Sequence, residues 1–158
     1  LLTCQILTKH LYFYFMERLE TINFYLLDKA IRTYRIYSQK KLRENGFKIT
    51  VDQWLIIKVL MENPGISQQN IAEKAFKDNA SVTRIIDLLV KSKYLDRKVN
   101  PKDRRTSILK VTAAGEEIIN KVQDLVLQNR KMAQTGITIE ELENLNATLK
   151  KIIKNCQS

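Results

Sequence analysis

Ser81, Thr83 and Arg84 lie within four residues of one another in NASVTRIIDLLVK, a segment whose apolar residues recur at helical spacing. Val82, Ile85, Ile86 and Leu89 form the i, i+3, i+4, i+7 stripe that a helix turns towards a core. The opposite side then carries Lys77 just before the helix, Ala80, Arg84, Asp87 and Lys91, with Asp78 or Asn79 as the cap and Ser81 and Thr83 on the flanks. Small and polar side chains around one arginine allow a helix to enter a DNA major groove closely, where bulky groups would hold it off. Arg84 suits a guanine edge or a phosphate, and Ser81 and Thr83 suit either bases or phosphates. Taken alone, this helix fits an ordinary solvated face equally well.

A second group shifts that balance. Lys102, Asp103, Arg104 and Arg105 fall in NPKDRRT, between two segments that alternate apolar and polar residues as strands do. The spacing predicts a hairpin with these bases at its tip, where no core needs them. Arginine at such a tip fits a narrow minor groove. Asp103 among the bases suits a buttress that pairs an arginine and fixes its direction. A merely solvated basic loop is the alternative. Residues 74–110 hold 11 Lys or Arg against 4 Asp, so seven of the chain's ten net positive charges sit in this quarter of its 158 residues. Charge concentrated on one helix pair and hairpin points to a polyanionic partner more strongly than net charge does.

The elements that must position these groups are mostly helical. Only 4 Gly and 2 Pro interrupt the chain, and 44% of it is apolar. One long amphipathic helix is expected over 17–44, carrying Leu19, Ile22, Leu26, Ala30, Tyr34 and Tyr37 and stopped by Asn45-Gly46. Thr50 and Gln53 form a capping box for a second helix, stapled by Ile49 against Trp54 and ended by Asn63-Pro64-Gly65. Ser67 caps a short third helix that ends near Phe76, only a few residues before the fourth, so the two must cross steeply. Thr112 caps a long fifth helix, Thr135-Gly136 breaks it, and Thr138 with Glu141 starts the last one, with Leu142, Leu145, Leu149 and Ile152 on one face.

Other chemistries find little support. A single histidine, His10, makes a triad or a His-ligated metal site a poor fit, and no Gly-rich phosphate loop, metal-ligand cluster or nucleophile with a positioned base is present. An enzyme and a bound cofactor are therefore not expected. Cys4 and Cys156 are two lone thiols, which suits a reducing cytoplasm. No apolar run approaches the roughly 20 residues a bilayer span needs, so no membrane partner is expected. Residues 1–15, ahead of Met16, read either as a leader or upstream extension or as an extra helix buried against a partner subunit.

SQQNIAEKAF, NASVTRIIDLLVKSKYLDRK and NPKDRRTSILKVTAAG resemble the winged-helix core of the multiple antibiotic resistance regulator (MarR) family, and the likeness extends to the first helix and to TIEELENLNATLKKI. PKDRRTSILKVTAAG is its most specific part. Asn100 stands where many relatives place Asp before the proline. The resemblance implies a mainly α winged helix-turn-helix with a two-stranded β wing. In this scheme a single domain over 16–158 has a DNA-binding core at 50–111 and dimerisation helices at 16–46 and 113–158. It implies a homodimeric, cytoplasmic bacterial regulator of transcription, expected to be a repressor, that binds double-stranded DNA at a pseudo-palindrome. Ser81, Thr83 and Arg84 would face the major groove and Arg104 the minor groove, with Asp103 pairing Arg105; Lys77, Asn79, Lys91 and Lys102 would add contacts. It further implies release by a small phenolic or lipophilic compound, for which Tyr34, Tyr37 and Trp54 are the candidate lining, against the bland alternative that they are core. A winged helix that meets an acidic protein partner is the competing reading.

Overall fold

The computed structural model describes residues 18–157 apart from Lys102, and gives Asp103, Arg104 and Arg105 as backbone only. The expectations for residues 1–15, Cys4 and His10 among them, lie outside the described residues. A 3-10 turn, Leu19–Thr21, leads into α1 (Asn23–Glu44), and α2 (Val51–Glu62), α3 (Gln68–Ala75) and α4 (Asn79–Lys91) follow. β1 (Leu95–Asn100) and β2 (Asp103–Val111) form an antiparallel pair, and α5 (Ala113–Ala133) and α6 (Ile139–Cys156) complete the chain. This is a mainly helical winged helix, as expected.

Local chemistry accounts for most of the boundaries. The Thr50 hydroxyl accepts from the Gln53 N–H and the Gln53 side chain accepts from the Thr50 N–H, closing a capping box at α2. Ser67, Asp78 and Thr112 cap α3, α4 and α5, and Thr138 with Glu141 repeats the box at α6. Two boundaries differ from expectation. The first helix is not continuous from 17: Ile22 is extended, and the Thr21 hydroxyl turns back to the Arg18 carbonyl, so α1 starts at Asn23. Adjacent β-branched Thr21 and Ile22 favour that extended step.

β2 also begins earlier than expected. Arg104 and Arg105 belong to the strand rather than to the tip, because Asn100 pairs directly with Asp103. The register shifts beside that pair, since Val99 lies opposite Ser107, and residues 104–106 form the bulged side. The Asn100 amide donates to the Thr106 hydroxyl (3.0 Å) across this distal end.

The core gathers under α4. Ile56 and Ile57 of α2, Ile71 of α3, Val82, Ile86 and Leu89 of α4 and Val122 of α5 are all fully buried, with Leu95 at the wing's base. At the wing's root Gly115 permits a close approach: a Cβ there would lie 2.3 Å from the Tyr94 carbonyl oxygen. The Thr112 hydroxyl meanwhile donates to the Lys93 carbonyl (2.7 Å). The start of α5 is thereby tied to the end of α4 at the point where the chain enters the sheet.

Candidate nucleic-acid interface

α3 and α4 meet through a turn with little freedom. Phe76 closes α3 in the left-handed region, at φ 51°, a conformation that disfavours a non-glycine residue by about 1–2 kcal/mol. The Lys77 N–H bonds the Ala72 carbonyl at 3.0 Å, holding the reversal. Phe76 is 91% exposed, so burial does not repay the strain. Asp78 then caps α4 twice, accepting from the Ser81 N–H (2.8 Å) and from the Ser81 hydroxyl (2.6 Å). Those two bonds, the hydroxyl's first, hold the Asp78 carboxyl below its usual pKa.

Seated by Val82, Ile86 and Leu89, α4 turns Asn79, Ala80, Arg84 and Lys91 to solvent. Ser81 and Thr83 sit at the edge of this face, and their hydroxyls are engaged. Ser81 is tied to Asp78, while the Thr83 hydroxyl donates to the Asn79 carbonyl (2.8 Å) and accepts from the Gln68 amide (2.7 Å). Gln68 opens α3, so this last bond fixes the crossing of the two helices, a contact no helical wheel reveals. Each hydroxyl already donates its hydrogen bond within the protein and offers a partner only lone-pair acceptance and an apolar edge. Arg84 is the exposed guanidinium at the centre of the face.

Lys77 departs from the expected arrangement. Only 21% of its side chain is exposed, and its Nζ lies 3.0 Å from Asp52 Oδ2 in the first turn of α2. Asp87, read as part of the exposed face, pairs with Arg97 of β1 (2.8 Å), which fastens the wing to α4. Asp103, Arg104 and Arg105 follow the turn at the start of β2, and Lys102 lies outside the described residues. The candidate surface is thus an exposed helix face with a basic strand beside it, the two joined by the Asp87–Arg97 pair.

The family model named MarR family matches residues 49–107, from Ile49 of the core through this helix pair and into the wing. YhbI of Bacillus subtilis, described as an uncharacterized HTH-type transcriptional regulator, is 30% identical over 141 residues, covering 83% of this chain and 88% of that protein. The chain belongs to the MarR family. Among solved structures, a mutant of MarR from E. coli in complex with operator DNA superposes with a TM-score of 0.73 at 23% identity, over 80% of this chain and 90% of that one. BpsR of Bordetella bronchiseptica, whose DNA binding is regulated by 6-hydroxynicotinic acid, superposes with a TM-score of 0.73 at 21% identity, over 80% and 95%. The MarR family is one of transcription regulators, and the stretch its family model covers in this member includes α4 and most of the wing.

The aromatic residues proposed to line a small-molecule site occupy a different region of this MarR-family chain. Tyr34 and Tyr37 of α1 and Trp54 of α2 are half-buried, and Lys41 Nζ lies 5.8 Å from the centre of the Tyr37 ring. Trp54 Nε1 and the nearly buried Ser38 Oγ have no hydrogen-bond partner among the described residues. On another strip of α1, Arg35, Ile36, Gln39 and Arg43 form a cleft of about 250 Å³ with Val51 and Asp52. No described group of carboxylates, histidines and cysteines has metal-site geometry, and no described helix is long and apolar enough to cross a membrane.

Proposed function

We propose that the protein is a homodimeric repressor that reads a pseudo-palindromic operator, with α4 in the major groove and the wing along the minor groove. One observation carries this reading. α4 is clamped on its inner side by three fully buried residues, and its outer side offers Ala80 and Arg84 with nothing bulky between them. That combination of rigid seating and close approach suits readout of base edges. Asn79, Ser81, Thr83, Arg84 and Lys91 would make the major-groove contacts. Lys102, Arg104 and Arg105 would serve the minor groove with Asp103 directing them.

Dimerisation is supported by the terminal helices. α6 has no buried residue although Leu142, Leu145, Leu149 and Ile152 line it, and Phe24, Ile31 and Ile36 of α1 are exposed as well. Apolar stripes of this length on a single chain call for a second copy. An effector is supported by the two buried polar atoms, Ser38 Oγ and Trp54 Nε1, beside the α1 and α2 aromatics. A small phenolic compound brings both a ring and a hydroxyl to such surroundings.

Mobility shift against the duplex upstream of the protein's own gene tests the reading. Binding should weaken steeply with salt as phosphate counterions are released. Arg84→Ala should lose about 1–3 kcal/mol of discrimination at one base step. Salt-independent binding, or capture of an acidic protein with no preference among duplexes, would replace it with the protein-contact reading.

A further inference from the structure

Asp52 carries two cations that belong to different parts of the molecule. One carboxylate oxygen meets Arg35 Nη2 from α1, and the other meets Lys77 Nζ from the turn before α4, at 3.0 Å. Asp52 and Arg35 are each about one-third exposed and Lys77 less so. This charge triad is therefore screened less than the surface pairs of α1 and α5, such as Asp28 with Arg32 or Glu117 with Lys121. Next to it, the Gln39 side chain accepts the Val51 N–H at 3.0 Å, a second tie between α1 and the start of α2. Lys77 follows Phe76, whose left-handed backbone persists only if its surroundings hold it.

We propose that Asp52 is a positioning residue that couples α1 to the recognition helix, with Lys77 acting as an internal strut and not as a phosphate contact. The proposal rests on the DNA-reading function above. Holding the α3–α4 turn by its lysine fixes where α4 begins, and Arg35 makes that position depend on α1. The cleft on α1 opens against the same pair, because Arg35 and Asp52 both line it. Whatever moves Arg35 there therefore acts on the DNA-facing helix through one carboxylate.

The two roles of Lys77 predict opposite signs. If Lys77 were a phosphate contact held back by Asp52, Asp52→Asn would free it and tighten DNA binding. If it is a strut, Asp52→Asn weakens binding although it adds positive charge. Fluorescence anisotropy on the full-length chain, across a salt series, would use the duplex upstream of its own gene and a scrambled duplex. Asp52→Asn and Lys77→Met are each expected to weaken the upstream duplex about fivefold or more, and the double variant no further than the worse single one. The slope of log K against log salt should stay unchanged, and Asp52→Glu should restore binding. Tighter binding by Asp52→Asn overturns the proposal. So does a slope flattened by about 0.9, one phosphate's worth, in Lys77→Met with additive singles.

A wild-type protein that binds neither duplex overturns the DNA reading, and hydrogen exchange on the free protein then decides the coupling by itself. Asp52→Asn and Lys77→Met should both speed exchange at the amides of Lys77 and Val82 while leaving α6 unchanged. Unchanged exchange in Lys77→Met, which leaves the start of α2 intact, overturns the coupling.

Discussion

α4 and α6 carry apolar stripes of similar quality and meet opposite fates. In α4 the stripe disappears into the chain's own core, with Val82, Ile86 and Leu89 wholly buried. In α6 Leu142, Leu149 and Ile152 are only half-covered and Leu145 is 45% exposed. The amphipathic pattern states that a face must be covered, and it is silent about what covers it. One helix is therefore covered within the single chain, while the other is left open, as the proposed pairing with a second copy requires. Of the two, the helix seated in the core is the one proposed to read DNA, and the helix left open is the one proposed to set the spacing between two readers.

Truncation in the two stripes should separate them most clearly. Ile86→Ala empties a fully buried site and is expected to destabilise the fold by about 2–5 kcal/mol, read as a fall in the urea midpoint with the slope retained. Leu145→Glu should leave that midpoint within about 0.5 kcal/mol when measured at concentrations where the wild type is monomeric. Its effect should appear in sedimentation equilibrium as a dimer dissociation constant raised at least about tenfold, since a charge is placed in an apolar contact. A fold loss in Leu145→Glu equal to that of Ile86→Ala would erase the distinction.

An intermediate effect is expected where the wing joins the core. Gly115→Ala sets a Cβ against the Tyr94 backbone carbonyl, which cannot swing aside as a side chain would. The strand entry or the start of α5 must shift, at about 1–3 kcal/mol, as in other overpacked sites. Because the shift falls at the wing's root, near the end of α4, DNA affinity should fall with stability while the dimer constant holds. A drop in dimerisation alone would show that the junction serves α6 instead.

How much of this was legible in the sequence depended on the range of each interaction. Thr50, Ser67, Thr112 and Thr138 announce their helices because a cap is settled within three residues. The face shared by Ala80 and Arg84 was equally legible from spacing. The engagement of Thr83 by Gln68 and of Lys77 by Asp52 was not, because those partners arrive from other helices. Nor was the early start of β2. Arg104 and Arg105 carry no strand signal of their own, and the pairing of Asn100 with Asp103 brings the strand that far. Ser38 and Asn129 are buried because they fall on apolar stripes, four residues after Tyr34 and Leu125, although their polar type alone would place them in solvent.

The smallest expected effect compares the two helix starts. Asp78 caps α4 and Glu141 completes the box of α6. Both carboxyls titrate below their usual values: Asp78 through the Ser81 hydroxyl and then its N–H, Glu141 through the Thr138 N–H and then its hydroxyl. A depressed folded-state pKa means that the ionised form is favoured by folding. Each contribution is therefore fully present above the unfolded-state values of 3.8 and 4.5 and is lost as pH falls through the lower folded-state values. Asp78→Asn retains a good capping residue and removes only the charge. Its urea midpoint should lie slightly below that of the wild type at neutral pH, with the gap closing as the solution is acidified past the ordinary aspartate range. Glu141→Gln should close its gap at a somewhat higher pH, in step with the higher glutamate value. Since α4 is anchored by its core and α6 is not, acid should fray α6 first, seen as dimer dissociation before any loss of the α4 amides' exchange protection. A gap that stays constant with pH would place the value of either cap in its geometry rather than its charge. The reverse order of fraying would mean that burial under α4 is not what keeps the reading helix in place.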